Sequence, residues 1–122
     1  QNVIDPGELA GALKVLAAIG TQDDASLAAK LASNADWRVR VQVANALGAL
    51  NDASQIPVLT GLIDDTHWWV RYRAAQALAK VSKEDETRLR TILKHITDKY
   101  GRDILTQIIA EQETVFQRGA AS

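Results

Sequence analysis

The stretch "DWRVRVQVANALGAL" at residues 36–50 is repeated in outline 31 residues later as "HWWVRYRAAQALAKV" at residues 67–81. Val39 falls on Val70, Arg40 on Arg71, Ala44 on Ala75, Ala46 on Ala77, Leu47 on Leu78 and Leu50 on Val81. The register holds outside these stretches without a gap. Leu27, Val58 and Leu89 form one series, Leu31, Leu62 and Leu93 a second; Leu16 and Ile19 precede Leu47 and Leu50, and Arg102 follows Arg71. Within each copy the apolar positions, Val39, Val43, Leu47 and Leu50 in the first, recur with the 3.6 period of a helix and not the period of 2 of a strand. Self-similarity at this spacing is the mark of a stacked helix-pair repeat, in which each unit buries its apolar face only against its neighbours.

Each unit reads as a short first helix, over 24–33, 54–63 and 84–97, and a longer second helix, over 37–50, 68–81 and 99–116. A lone second helix, 6–19, comes before them. The boundaries carry physical markers. Asp5, Pro6 and Glu8 combine a capping acid, a proline whose missing N–H is not needed in the first turn, and a capping-box acid. Ser82 with Asp85 makes a second such box, while "GTQDD" at 20–24, "NDAS" at 51–54 and "DDT" at 64–66 are turn-like, with Gly20 suited to end a helix. The expected fold is all-α, an alpha-alpha superhelix of about seven helices in a single domain. It divides into an N-terminal half repeat (5–20), repeat 1 (21–50), repeat 2 (51–81) and a C-terminal capping repeat (82–118).

The composition narrows the class. A chain of 122 residues suits one domain with a real core, and 7 glycines, 2 prolines and a 47% apolar fraction leave no room for a long disordered tract. No cysteine is present, which removes disulfides, thiolate metal sites and cysteine nucleophiles. No stretch approaches the roughly 18 apolar residues of a membrane span. The first residues, Gln1 to Pro6, are neither a basic leader nor an initiator methionine, so the expectation is a processed or partial chain with room for an anchor or signal peptide upstream. Net charge is −1 but uneven: residues 1–36 hold five acids against two lysines, and residues 37–81 hold five bases against three acids.

At the second helices the sequence resembles the HEAT-repeat superfamily, in particular the bacterial HEAT-like repeats also found in the phycobilin-lyase-like group. The motif is an acidic residue, a short gap, Val-Arg, then Ala-Ala, Ala-Leu and often Gly. It stands here as Asp36, Val39, Arg40, Ala44, Ala46, Leu47 and Gly48, and again as Val70, Arg71, Ala74, Ala75, Ala77 and Leu78. The last unit departs from it, with Tyr100, Gly101, Arg102 and Asp103 where the motif has Val-Arg, as a terminal repeat sealing the core does. The resemblance implies a scaffold that binds another macromolecule. It extends to the repeat alone, so bilin attachment is not carried over and no cofactor is implied. Such repeats also accompany membrane-anchored bacterial proteins, so the expected setting is cytoplasmic or, through a longer parent, membrane-tethered.

In this family the repeated arginine commonly ties neighbouring units through an acid near the start of the second helix. Arg40, Arg71 and Arg102 are the expected ladder, with Asp36, Asp65 and Asp98 as partners. The more variable stripe is better functional territory. Arg38, Gln42, Asn45 and Ala49 share a helix face, and their equivalents are Trp69, Arg73, Gln76 and Lys80, then Tyr100, Ile104, Gln107 and Glu111. Second helices usually line the concave side of such a stack, so Arg38, Gln42, Asn45, Trp69, Tyr72, Arg73, Gln76, Lys80 and Tyr100 are the candidate partner-binding residues for a peptide or helix. Trp37 and Trp68, at equivalent helix starts, read as packing residues covering the gap between units. Trp69 reads as part-exposed, because its equivalents Arg38 and Tyr100 are polar.

An enzyme is not expected. His67 and His95 stand in different helices with no paired-histidine motif, no phosphate loop or serine elbow is present, and Asp64-Asp65 reads as a turn and cap, not a metal site. Two alternatives to protein binding remain. One is weak nucleic-acid binding through Arg38, Arg73 and Lys80, a faint version of the basic surface of HEAT-like DNA-repair glycosylases. The other is a structural spacer or dimerisation module using Ile104, Ile108, Val115 and Phe116, residues that would otherwise cap the core.

Overall fold

The computed structural model describes residues 5–81, 90, 92–94, 96 and 99–121, with side chains described as far as Glu111 except that of Tyr100. Ser82, Asp85, His95 and Asp98, and the side chains of Tyr100, Val115 and Phe116, lie outside the described residues. Six α-helices are delimited: α1 (Pro6–Ile19), α2 (Ala25–Ala29), α3 (Trp37–Leu50), α4 (Ile56–Leu62), α5 (Trp68–Val81) and α6 (Lys99–Ala121). The described residues contain no strand. α1, α3, α5 and α6 lie side by side in chain order, while α2 packs on α3, and α4 packs on α5 and α3. The result is a short all-α solenoid of helix pairs.

The long second helices start where side chains cap them. Asp5 Oδ2 accepts from the backbone N–H groups of Gly7 (2.9 Å) and Glu8 (3.3 Å) ahead of Pro6, and Asp36 Oδ1 accepts from Arg38 N (2.8 Å). At α5 the cap is His67, whose Nδ1 accepts from Trp69 N at 3.1 Å. The first helices are shorter than their periodicity suggests. α2 is preceded by a 3₁₀ turn at Gln22–Asp24 and α4 by one at Ala53–Gln55. After α2 the bonds tighten to the i−3 carbonyl, as from Leu31 N to Ala28 O (3.0 Å) and Ala32 N to Ala29 O (3.1 Å). In the other direction α6 runs past the expected end at residue 116 to Ala121.

Gly20 does end α1, but in an extended conformation (φ −75°, ψ 171°) rather than a left-handed one. A Cβ there would stand 2.5 Å from Leu16 O and 3.1 Å from the Leu50 side chain, so crowding selects glycine. The left-handed cap falls instead to Asn51 (φ 53°, ψ 47°), whose carbonyl accepts from Gln22 Nε2 at 3.0 Å.

The core is continuous across the units. Val39, Val43, Leu47, Leu59, Ile63, Val70, Leu78 and Leu105 are the largest fully buried side chains, each contributing about 2 kcal/mol of hydrophobic stabilisation. α3 and α5 are the most enclosed helices, because each has a neighbour on both sides and a shorter helix packed against it. Ile104 and Ile108, considered above as a dimerisation surface, pack in or against this core. At the N-terminal edge the series loses cover: Ile19 is 78% exposed, whereas its counterpart Leu50 is 6% exposed.

Candidate partner-binding face

α3 and α5 touch almost backbone to backbone. A Cβ on Gly48 would lie 3.0 Å from Ala77 Cβ, tighter than ordinary packing. Small residues at this contact leave a hollow of ≈ 180 Å³ above it, floored by Ala44, Gly48 and Ala77 and walled by Asn45, Arg73, Gln76 and Lys80. A second hollow, of ≈ 410 Å³, lies between α1 and α3 and is closed at one end by Trp69 of α5. Its walls include Trp37, Val41 and Gln42, and its α1 side is Gly7, Ala10, Gly11 and Lys14.

Most of the candidate residues are held in place around these hollows. Arg73 lies 4.8 Å over the Trp69 ring and donates from Nη1 to Gln76 Oε1 (3.1 Å). Gln76 Nε2 donates in turn to the Tyr72 hydroxyl (3.2 Å), and Asn45 Nδ2 donates to Gln42 Oε1 (3.4 Å). Trp69 and Tyr72 are half-buried, stacked with ring centroids 5.5 Å apart and packed against the core. Lys80 is exposed. Tyr100 is placed on α6 by its backbone alone.

Several expectations need correction. Asp36 does not pair with Arg40. Its carboxylate takes Arg38 in a fork, Nε to Oδ1 at 3.0 Å and Nη2 to Oδ2 at 2.7 Å. The hydrogen bonds from Arg38 hold the Asp36 carboxyl down at about 2, so the pair is ionised at neutral pH and Arg38 is already engaged. Arg102 is exposed and does not continue the half-buried series of Arg40 and Arg71. Trp68 is 52% exposed and stacks on its own helix neighbours Trp69 and Tyr72, so among the described residues it covers no junction to the next unit. Trp37 does, because it finds the His67 ring stacked at 3.9 Å and 8°. The residue of the next unit equivalent to His67 is Asp98, which offers no ring.

Asp65 is the tie between units. Its Oδ2 accepts from Arg40 Nε (2.7 Å), its Oδ1 from Arg40 Nη2 (3.1 Å) and His67 N (2.8 Å), and its carbonyl from Arg71 Nη1 (2.7 Å). One unit earlier Asn34 has the matching backbone role, accepting from Arg40 Nη1 at 2.9 Å, and its Oδ1 accepts from Asp36 N at 2.9 Å. Asn34, Asp65 and Ile96 therefore form one series, and only Asp65 brings a charge to it. Asn34 was missed, although its 31-residue offset from Asp65 was legible. Lys14, Gly7 and Gly11 were missed because α1 lacks the Val-Arg motif that drew the comparison.

A family model described as HEAT repeats matches residues 5–79 and again residues 25–121. The chain belongs to the HEAT-repeat family. HEAT repeats are generally protein-interaction scaffolds, and the family is typically non-enzymatic. No curated protein and no solved structure matches this HEAT-repeat chain significantly. Among its described residues no helix is long and apolar enough to cross a membrane, and no group of three or more His, Asp or Glu residues is placed to hold a metal ion.

Proposed function

We propose that this HEAT-repeat domain is a non-enzymatic adaptor that holds a peptide or helix of a partner protein on the face formed by α1, α3 and α5. The observation that carries this reading is the hollow between α3 and α5. Its floor is made of small buried residues, while its walls are amides and cations that the core does not use. Trp69 and Arg73 stand beside it, and part-buried Trp, Tyr and Arg side chains are the usual anchors of protein interfaces.

Duplex nucleic acid is a weaker fit for the same face. Useful affinity for a duplex needs many phosphate contacts, and one of the three cations invoked for it, Arg38, is bound by Asp36.

The test is a pull-down from native cell extract with the domain and with a Trp69→Ala/Arg73→Ala variant whose helicity is checked by circular dichroism. A specific protein should be retained by the first, and its recovery should fall about tenfold or more with the second, the loss expected of hot-spot side chains. Equal recovery by both would refute this site, and no specific protein with either would favour the spacer role.

A further inference from the structure

The two hollows flank α3, with Gln42 lining one and its hydrogen-bonded neighbour Asn45 lining the other. Their combined lining contains four cations, Lys14, Arg38, Arg73 and Lys80, and no carboxylate. Arg38 is neutralised by Asp36, but Lys14, Arg73 and Lys80 have no ion-pair partner among the described residues. Arg73 is the most constrained of these, clamped between Trp69 and Gln76, with a buried Nε that has no hydrogen-bond acceptor among the described residues. The chain as a whole is slightly acidic, at −1, so this positive face is a local arrangement. Asp23, Asp24, Asp52 and Asp64 sit at the turns and helix ends away from the hollows, whereas Asp5 and Asp36 stand beside Gly7 and Arg38 at the rim of the larger one, so the positive charge of the face is carried by Lys14, Arg73 and Lys80.

The larger hollow has a different character. Gly11 is part of its lining, and a Cβ there would meet nothing within 4 Å, so the α1 side of the hollow is open. Trp37, Val41 and Trp69 give it apolar walls, and ≈ 410 Å³ accommodates one bulky side chain.

Resting on the protein-binding reading above, we propose that the partner segment is acidic and carries one bulky apolar residue. The apolar side chain enters the hollow between α1 and α3. Asp or Glu side chains of the same segment cross to Arg73 and Lys80, and Lys14 receives another at the opposite rim. Carboxylates on a pre-positioned guanidinium form short charge-assisted hydrogen bonds, and a cation-lined face speeds encounter with an acidic segment. The apolar anchor supplies the burial that exposed ion pairs do not.

The test is selection of a random peptide library on the folded domain, followed by binding measurements on the enriched peptides. The selected peptides should be enriched in Asp and Glu around one Trp, Phe or Leu, and their affinity should fall as salt rises. A Cβ at Gly11 meets no neighbour and a helical glycine is replaced, so Gly11→Gln should keep the fold, checked by circular dichroism, while placing a side chain at the rim of the larger hollow. It and Lys80→Glu should each weaken binding about tenfold. Basic or neutral peptides, no enrichment over bare support, or affinity unchanged by both variants would overturn the inference. Neutral peptides that Gly11→Gln still excludes would remove only the acidic chemistry and leave the protein-binding face standing. Acidic peptides bound equally well by both variants would remove the face as well, and displacement by single-stranded nucleic acid in preference to peptide would replace the partner class.

Discussion

Changing Asp65 to alanine should cost this domain about 3 kcal/mol of unfolding free energy, the scale expected when one partner of a largely buried ion pair is removed. The side chains of Arg40 and Asp65 are only 15% and 9% exposed, and the same carboxylate also holds His67 N at the start of α5. Truncation therefore strips Arg40 of its counter-charge and the backbone N–H of the capping residue His67 of its acceptor in one step. Asp65→Asn keeps an acceptor for His67 and should cost less. Arg40→Ala should cost a similar amount, and the double variant should fall short of the sum, because both changes remove the two Arg40–Asp65 bonds. Neighbouring Asp64 is exposed, so Asp64→Ala is the control and should shift the urea midpoint little. If Asp65→Ala behaved like Asp64→Ala, Asp65 would not be the tie between units.

The second large effect belongs to the leucine series. Leu47 and Leu78 are fully buried at equivalent positions, and truncating either to alanine should cost about 3 kcal/mol or more through lost transfer energy and the cavity left behind. Leu16, the third member, is only half-buried, because α1 stands at the edge of the stack. Leu16→Ala should therefore cost clearly less. Equal losses at all three positions, measured by denaturant unfolding, would contradict the nearest-neighbour organisation of the solenoid.

These effects show what could be read from residues and what needed three dimensions. The bounds of α1, α3 and α5 follow directly from the repeat and its capping residues, since Asp5, Asp36 and His67 mark the start of each apolar run. The first helices were less legible. α2 and α4 open and close with 3₁₀ turns, which share the apolar spacing of a helix and differ only in how their bonds tighten. The tie between units illustrates a subtler limit. Asp65 and Asp36 were equally eligible as partners of the arginine series, and only the structure separates them: Asp65 bridges to Arg40, while Asp36 turns to Arg38 two residues on.

The face itself was legible as a stripe but not as a shape. Helical spacing brings Arg38, Gln42 and Asn45 together, as it does Trp69, Arg73 and Gln76. The hollows are lined by small residues, Gly7, Ala10 and Gly11 on α1 and Ala44, Gly48 and Ala77 at the α3–α5 contact, and smallness on one helix acquires meaning only when its neighbour is in place. The same holds for Arg38 and Trp68, whose exposure depends on whether a partner lies within reach.

The most direct test of the central claim is where a bound segment lies. Titrating the ¹⁵N-labelled domain with the captured partner segment should shift the amide signals of Gly11, Gln42, Asn45 and Gln76 together, with little change on α2 and α4. Shifts centred on α2, α4 or the exposed edge at Val15, Ile19 and Leu27, with the hollows unaffected, would contradict it.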